Sequence, residues 1–341
     1  MNASPMTSAA PPARSLAALW AARDISSVAN WAILVSLLAW TYQGQEKATL
    51  LSILLLAHML PPFLLGPLAP LVVRDRNAST VVLAAPLVRA AALSPLLRVG
   101  SEADLPLVLT AVLLAAVPAA FGRSAQERLL RATLPPGRLV AAERAFSTTG
   151  FLALTIGAAA GSAVYGRAGL QGSTVVALTV LVASAALLLL ARPSTAAPAD
   201  ARPAIRASLA SLQRGLIFCI GDASLQAVAA IRLSIALVAG GLVVAQVAFV
   251  VWGLAMTPDT IGIILAAQGL GALAGTAAYG LGRDRFPQST LVSTGVGLAA
   301  SALFGFAISG SLNSAVLFAF AMGVGAGTSS GALASLIATR A

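Results

Sequence analysis

Ten runs of predominantly apolar residues follow one another through this 341-residue chain with only short polar interruptions. Each is near the roughly 20 residues that a helix needs to cross the hydrocarbon core of a bilayer. They cover 15–40, 50–73, 80–98, 105–121, 146–165, 174–191, 226–254, 261–281, 291–308 and 315–338. A water-soluble fold has little use for one such run and none for ten. Only 9% of the residues are charged, where a surface facing water draws about 25%. The expected fold class is all-α and integral to a membrane, a bundle of about ten transmembrane helices with its fourth helix continuing to Arg131.

Charge placement tests that count. With an internal N-terminus, sixteen of the 21 basic residues fall on the cytoplasmic side, three (Lys47, Arg98 and Arg167) outside, and two (Arg89 and Arg232) within spans. This is the positive-inside bias, and one missed or invented helix would invert every later loop. It places both termini in the cytoplasm and the chain in the inner (plasma) membrane. It also gives the net charge of +10 a topological meaning, so no nucleic-acid partner is expected. Trp20, Trp40, Tyr42, Tyr165, Trp252 and Tyr279 lie near span ends, where amphipathic rings prefer the headgroup level; Trp31, well inside the first span, is the exception. A single cysteine, Cys219, and a single histidine, His58, leave no disulfide framework and no zinc cluster. No cofactor or metal is expected, and no catalytic constellation marks an enzyme.

Four parts follow along the chain. Residues 1–14, rich in Ala, Ser and Pro, read as a disordered cytoplasmic tail, without the early charge of a cleaved signal. Residues 15–191 form a six-helix half. Residues 192–225 are a cytoplasmic linker whose Pro-, Ala- and Arg-rich start gives way to a partly amphipathic stretch, 204–220, suited to the inner membrane surface. Residues 226–341 hold the remaining four helices. A repeat connects the two halves. Gly66-Pro-Leu-Ala-Pro-Leu-Val-Val-Arg74-Asp75-Arg76 ends the second span, and Gly275-Thr-Ala-Ala-Tyr-Gly-Leu-Gly-Arg283-Asp284-Arg285 ends the eighth. Both read Gly, seven residues, then Arg-Asp-Arg, and internal repeats are one way in which transporters are built.

The chain resembles the major facilitator superfamily, and within it the drug- and siderophore-exporter branch. The residues carrying the resemblance are Ile25-Ser-Ser-Val-Ala-Asn30-Trp31, Leu60-Pro-Pro-Phe-Leu-Leu-Gly-Pro-Leu-Ala69, the Arg74-Asp75-Arg76 loop, Leu87-Val-Arg89-Ala and Gly269-Leu-Gly-Ala-Leu-Ala-Gly275. The resemblance implies a major-facilitator-like bundle of two pseudo-repeated halves. It also implies secondary active transport of a small-molecule substrate by alternating access, in the efflux direction, with protons as the candidate coupling ion of an antiporter. In such a protein Asp75 and its flanking arginines form a gating charge network on the cytoplasmic side, with Arg283, Asp284 and Arg285 as the second copy. The departures are specific. The exporter motif of the fifth helix reads Gly157-Ala-Ala-Ala-Gly161-Ser162 without its proline, leaving Gly157 and Gly161 as helix-packing residues. The family has twelve helices, and helices 11 and 12 have no counterpart here. An inward permease of the same fold and a truncated, non-transporting membrane protein therefore stay open as alternatives.

Polar groups deep in a membrane are the candidate substrate or proton pathway. Arg89 lies about ten residues into the third span, roughly 15 Å along it, and packing against carbonyls or Asp24 is its structural alternative. His58, near the middle of the second span, titrates near neutrality when unperturbed. Asp24, Asn30, Gln246 and Gln268 complete the set, and helix-to-helix hydrogen bonding accounts for the amides equally well. No carboxylate lies deep in any span, so the sequence leaves the coupling ion open. Gly327-Thr-Ser329-Ser-Gly331 matches a nucleophile-elbow pattern but lies in an apolar helix rather than a strand-to-helix turn. The glycines of 269–275 and 323–331 are expected to form grooves that await further helices.

Overall fold

The computed structural model describes residues 13–45, 48–73, 75–134, 136–191 and 240–338, together with the isolated positions 221, 226 and 230; within these, the side chains of 75–77 and 136–144 are among those left undescribed. The tail, the linker with its amphipathic stretch, and Arg232 lie outside the described residues.

Among the described residues the chain is all-helical. Its elements are α1 (Ala13–Gln45), α2 (Ala48–Leu65), the single turn α3 (Ala69–Val72), α4 (Asp75–Leu93), α5 (Leu105–Thr133), α6 (Pro136–Ala191), α7 (Gly240–Gly253), α8 (Ile261–Gly282), α9 (Gln288–Ala307) and α10 (Leu312–Ala338). Seven helices are long and apolar enough to cross a membrane, and α2 and α7 are shorter apolar helices. Large apolar side chains point outward along them: Phe63, Leu190, Leu281, Phe304, Ile308 and Leu317 are all more than 60% exposed. A monomeric soluble protein rarely leaves so much apolar surface uncovered; lipid covers it here. The chain is a multi-pass helical membrane protein.

The centre of the bundle is α1. It is packed along most of its length against α6, and its middle from Ala32 to Ala39 is buried without interruption. The contact is close because Gly157 sits against the Trp31 Cβ and the Val28 carbonyl, and Gly161 against Ala32. This explains the one tryptophan that stands away from the headgroups: Trp31 is packed between helices.

Three local features differ from the sequence reading. The second span is not one helix. Pro61 and Pro62 lie inside α2, and a turn at 66–68 separates it from α3, with the Gly66 amide bonded to the Pro62 carbonyl at 2.9 Å. Pro61, Pro62, Pro67 and Pro70 remove four amide donors within ten residues, and the helix gives way after Leu65. The corresponding stretch of the second copy, with no proline, stays helical to Gly282. Next, Asp75 and Arg76 are not in a loop but form the first turn of α4, where an acid favours the positive end of the helix dipole. Finally, spans five and six are arms of a single element, α6, broken only at Gly169 (φ 62°, ψ −164°). That conformation is open to glycine alone. The arms, 136–168 and 170–191, run roughly 50 Å and 33 Å, each sufficient to cross the hydrocarbon core.

The connection from α4 to α5 is tied down by charge. The Asp104 carboxylate accepts hydrogen bonds from the Gly100 and Ser101 amides at 2.9 and 3.0 Å, which hold its pKa below the ordinary aspartate value. The folded pKa is depressed, so this stabilisation is fully present above the unfolded value near ~3.9 and is lost as pH falls through the lower folded value. The Gly100 and Ser101 amide NMR shifts are expected to titrate with a midpoint below ~3.9 and to stay flat in Asp104→Asn. A midpoint at or above the ordinary value would remove the capping role.

The glycine faces expected to await further helices are already filled. A methyl group at Gly271 or Gly275 would overlap the backbone of α10 at Phe320 and Val324, and one at Gly323 or Gly327 would overlap the backbone of α8 at Gln268 and Ala272. Gly325 and Gly295 bring α10 equally close to α9. The two small-xxx-small faces, Gly271/Gly275 and Gly323/Gly327, are each other's partner. Thr328 reinforces the pair by donating to the Gly275 carbonyl at 3.1 Å. Ser329 donates to the Gly325 carbonyl of its own helix at 2.9 Å, as a packed helical serine does.

Candidate functional site: a buried cationic path beside the first helix

Ser26 and Asn30 are one turn apart on α1, and both face α4. Arg89, roughly 20 Å along α4 from Asp75, points between them. Its Nη2 donates to Asn30 Oδ1 at 2.6 Å and its Nη1 to Ser26 Oγ at 3.3 Å, while its Nε has no partner. Arg89 is 8% exposed. Among the described residues no carboxylate acts on its charge; the charged group that does is another cation, Arg123. A buried cation with neutral partners alone is costly to hold. Arg89, Asn30 and His58 line one narrow cavity, closed by Leu37 of α1 and by Val112 and Ala115 of α5, whose free space of ≈ 10 Å³ is about one water's worth. His58 makes no hydrogen bond among the described residues.

Asp24 does not reach Arg89. It pairs instead with its neighbour Arg23 at 3.4 Å. Arg23 is half-buried and held from a second side by α6: Nη1 lies 3.4 Å from Thr149 Oγ1, Nη2 3.5 Å from the Phe146 carbonyl, and the guanidinium carbon 4.1 Å above the Phe146 ring. Trp20 stacks on the other side of that ring at 4.4 Å. Below this cluster opens a larger cavity of ≈ 390 Å³, lined among the described residues by Arg23, Arg123, Gln126, Glu127, Arg131 and Phe146. It lies where α1 and α6 begin and α5 ends, at the Arg-rich end of the bundle.

At the opposite end the surfaces meet. Tyr42, near the end of α1, packs edge-on against Trp252 of α7 at 5.7 Å. Ser162 of α6 donates to the Asp259 carbonyl in the turn before α8. α7 ends in a π-helical turn, 249–253, followed by Ala255 at φ 52°.

The structure thus brings Asn30, His58 and Arg89 into one site, with Asp24 beyond it through Arg23. Gln246 and Gln268 are elsewhere. Gln246 is fully buried in α7 with neither amide atom bonded among the described residues, and Gln268 is half-buried on α8 with its backbone carbonyl against Gly323. Of the repeated charged segments, Arg74 and the side chains of Asp75 and Arg76 lie outside the described residues. Among the described residues Arg283 and Asp284 pair only with each other, at 3.7 Å and largely exposed, an arrangement of little energetic weight; Arg285 is exposed beside them. The sequence reading missed Ser26, Arg23, Arg123, Arg131 and Phe146. The available signals were the i, i+4 pair Ser26/Asn30 inside an apolar run and the i, i+4, i+8 series Arg123/Glu127/Arg131.

No model of a known protein family matches this chain, and no curated protein matches it in sequence.

Proposed function

We infer that this protein is a secondary active transporter of small molecules, built as a major-facilitator-type bundle of about ten spans and working by alternating access in the efflux direction. The observation that carries this reading is Arg89: a cation buried in the bundle, with no acid paired to it among the described residues, lining a narrow and mostly apolar cavity with Asn30 and His58. Such a charge has a cost that packing alone does not return, and in a membrane it marks a solute or ion path. The sequence motifs that resemble the exporter branch support the class, as does the repeated Arg-Asp-Arg segment. The contacts at the Tyr42–Trp252 end and the cavity at the Arg-rich end fit a state closed on one side and open on the other. On this reading the open side is cytoplasmic, the membrane is the plasma membrane, and both termini are inside.

Two measurements test it. In a Cys219→Ser background, Asn30→Cys is expected to react with a membrane-impermeant maleimide from the outside of intact cells and also from the inside in inverted vesicles. Reaction from one side only would exclude alternating access at this site. Reporter fusions in the 192–206 linker and at the C-terminus are both expected to report cytoplasm, given the basic residues around them. A periplasmic signal from either would break the ten-span topology.

A further inference from the structure

The cavity at the Arg-rich end is more than a helix end reaching water. Arg123, Glu127 and Arg131 alone would be the ordinary charged face of such an end, but two other elements close the space opposite them. Arg23 comes from α1, fixed by Asp24, Thr149 and the Phe146 carbonyl, and Phe146 comes from α6, backed by Trp20. The result is a three-walled cavity of ≈ 390 Å³, within the size range of small-molecule sites. Its chemistry is uneven. Among the described residues Arg123 and Arg131 make no hydrogen bond or ion pair, and Glu127, one turn from each on the same wall, pairs with neither. Among the described residues these two forked guanidinium groups have no partner, and planar bidentate recognition of an oxyanion is what such groups do best. The edge of the Phe146 ring, whose faces are covered by Arg23 and Trp20, and Leu130 add apolar surface beside them. Farther along α1, Arg89 adds a positive charge that no described acid neutralises.

We propose that this cavity binds an organic oxyanion, a carboxylate or phosphate on a small apolar body, with Arg123 and Arg131 holding the charged group and Phe146 the body. As the loading site for a solute moving toward Arg89 it rests on the transport reading; as a binding site it stands alone. The same chemistry is offered by a soluble anion and by the headgroup of an anionic lipid.

The full-length protein in phosphatidylcholine nanodiscs is titrated with phenyl phosphate, followed by calorimetry and by tryptophan fluorescence, since Trp20 backs the aromatic wall. Benzyl alcohol and phenyltrimethylammonium serve as neutral and cationic counterparts. Saturable binding of phenyl phosphate is expected, weakening as ionic strength rises, at least tenfold weaker in Arg123→Gln and in Arg131→Gln, and unchanged in Arg98→Gln at the opposite end. In nanodiscs containing phosphatidylglycerol, competition identifies a headgroup as the natural occupant and its absence identifies a free solute; either result keeps the oxyanion site. Equal affinity for the cation, or salt-independent binding in the wild-type protein, overturns the proposal even if both arginine variants fail to fold. Binding in nanodiscs without flux in liposomes would remove the transport reading and leave this site in place; flux without binding here would do the reverse.

Discussion

Arg89→Met is expected to reduce uptake of radiolabelled phenyl phosphate into inverted vesicles at least tenfold at equal expression. Methionine replaces the aliphatic stem of arginine and ends before the guanidinium, so the change removes the charge and the forked donors while keeping the packing of the stem. The site then keeps Asn30 and Ser26, but their oxygens lose their donor, at a cost near ~1 kcal/mol for an interhelical hydrogen bond in a membrane. The bundle should therefore assemble while the path fails. Arg89→Lys separates two contributions: it restores charge without the planar fork, and partial recovery would show that charge alone matters in part. Arg232→Ala, near one end of the seventh apolar run of the sequence, is expected to be milder, because a long side chain at the end of a span can extend to water. Wild-type flux from Arg89→Met, with the oxyanion site intact, would reduce Arg89 to a packing residue.

The second large effect concerns stability. Gly271→Val is expected to destabilise the folded protein by about 3 kcal/mol or more, read as the unfolding midpoint of purified protein in detergent. Overfilling a packed interior ordinarily costs about 1–3 kcal/mol. Here the obstacle is the Phe320 carbonyl of α10 rather than the end of a flexible side chain, so the neighbour cannot step aside and the helices must separate. Gly297→Val on α9, where nothing lies within 4 Å of an added Cβ, is the control and should stay within about 0.5 kcal/mol of wild type. Equal stability of the two variants would show that the α8–α10 contact contributes little.

The sequence made the apolar runs legible because hydropathy registers the solvent a segment needs, and lipid is a strong constraint on length. Hence α5 extends past Arg131 and α8 and α10 fall where the runs lie. Neighbours are harder to read, because lipid satisfies an apolar side chain as well as another helix does. The glycines of α8 and α10 showed close packing, but not that each face was the other's partner. Arg89 and Asn30 were visible as polar residues in apolar runs; that they bond to each other, while Asp24 turns to Arg23, depends on the rotation of α1 and α4, which no periodicity recorded. The larger cavity was invisible for a further reason. Its walls come from Arg23, the 123–131 segment and Phe146, parts of three elements separated along the chain, and only folding places them together. The break at 66–68 is written in the prolines of 61–70 rather than in the hydropathy, which runs on unchanged through it.

The packing of α8 on α6 limits how the bundle can move. Gly262 lies against Ala158 and Ser162, and two turns further Gly269 lies against Phe151 and Thr155, so the helices touch backbone to backbone over that length. Side chains normally act as bearings between helices, bending to let one slide past another. This seam has only the short side chains of Thr155 and Ser162, and a small axial displacement would set a Cβ against each glycine. Sliding is therefore opposed more strongly than tilting about the line of contact, and on the transport reading proposed above α6 and α8 are the expected axle, with the ends of the bundle rather than its middle opening and closing.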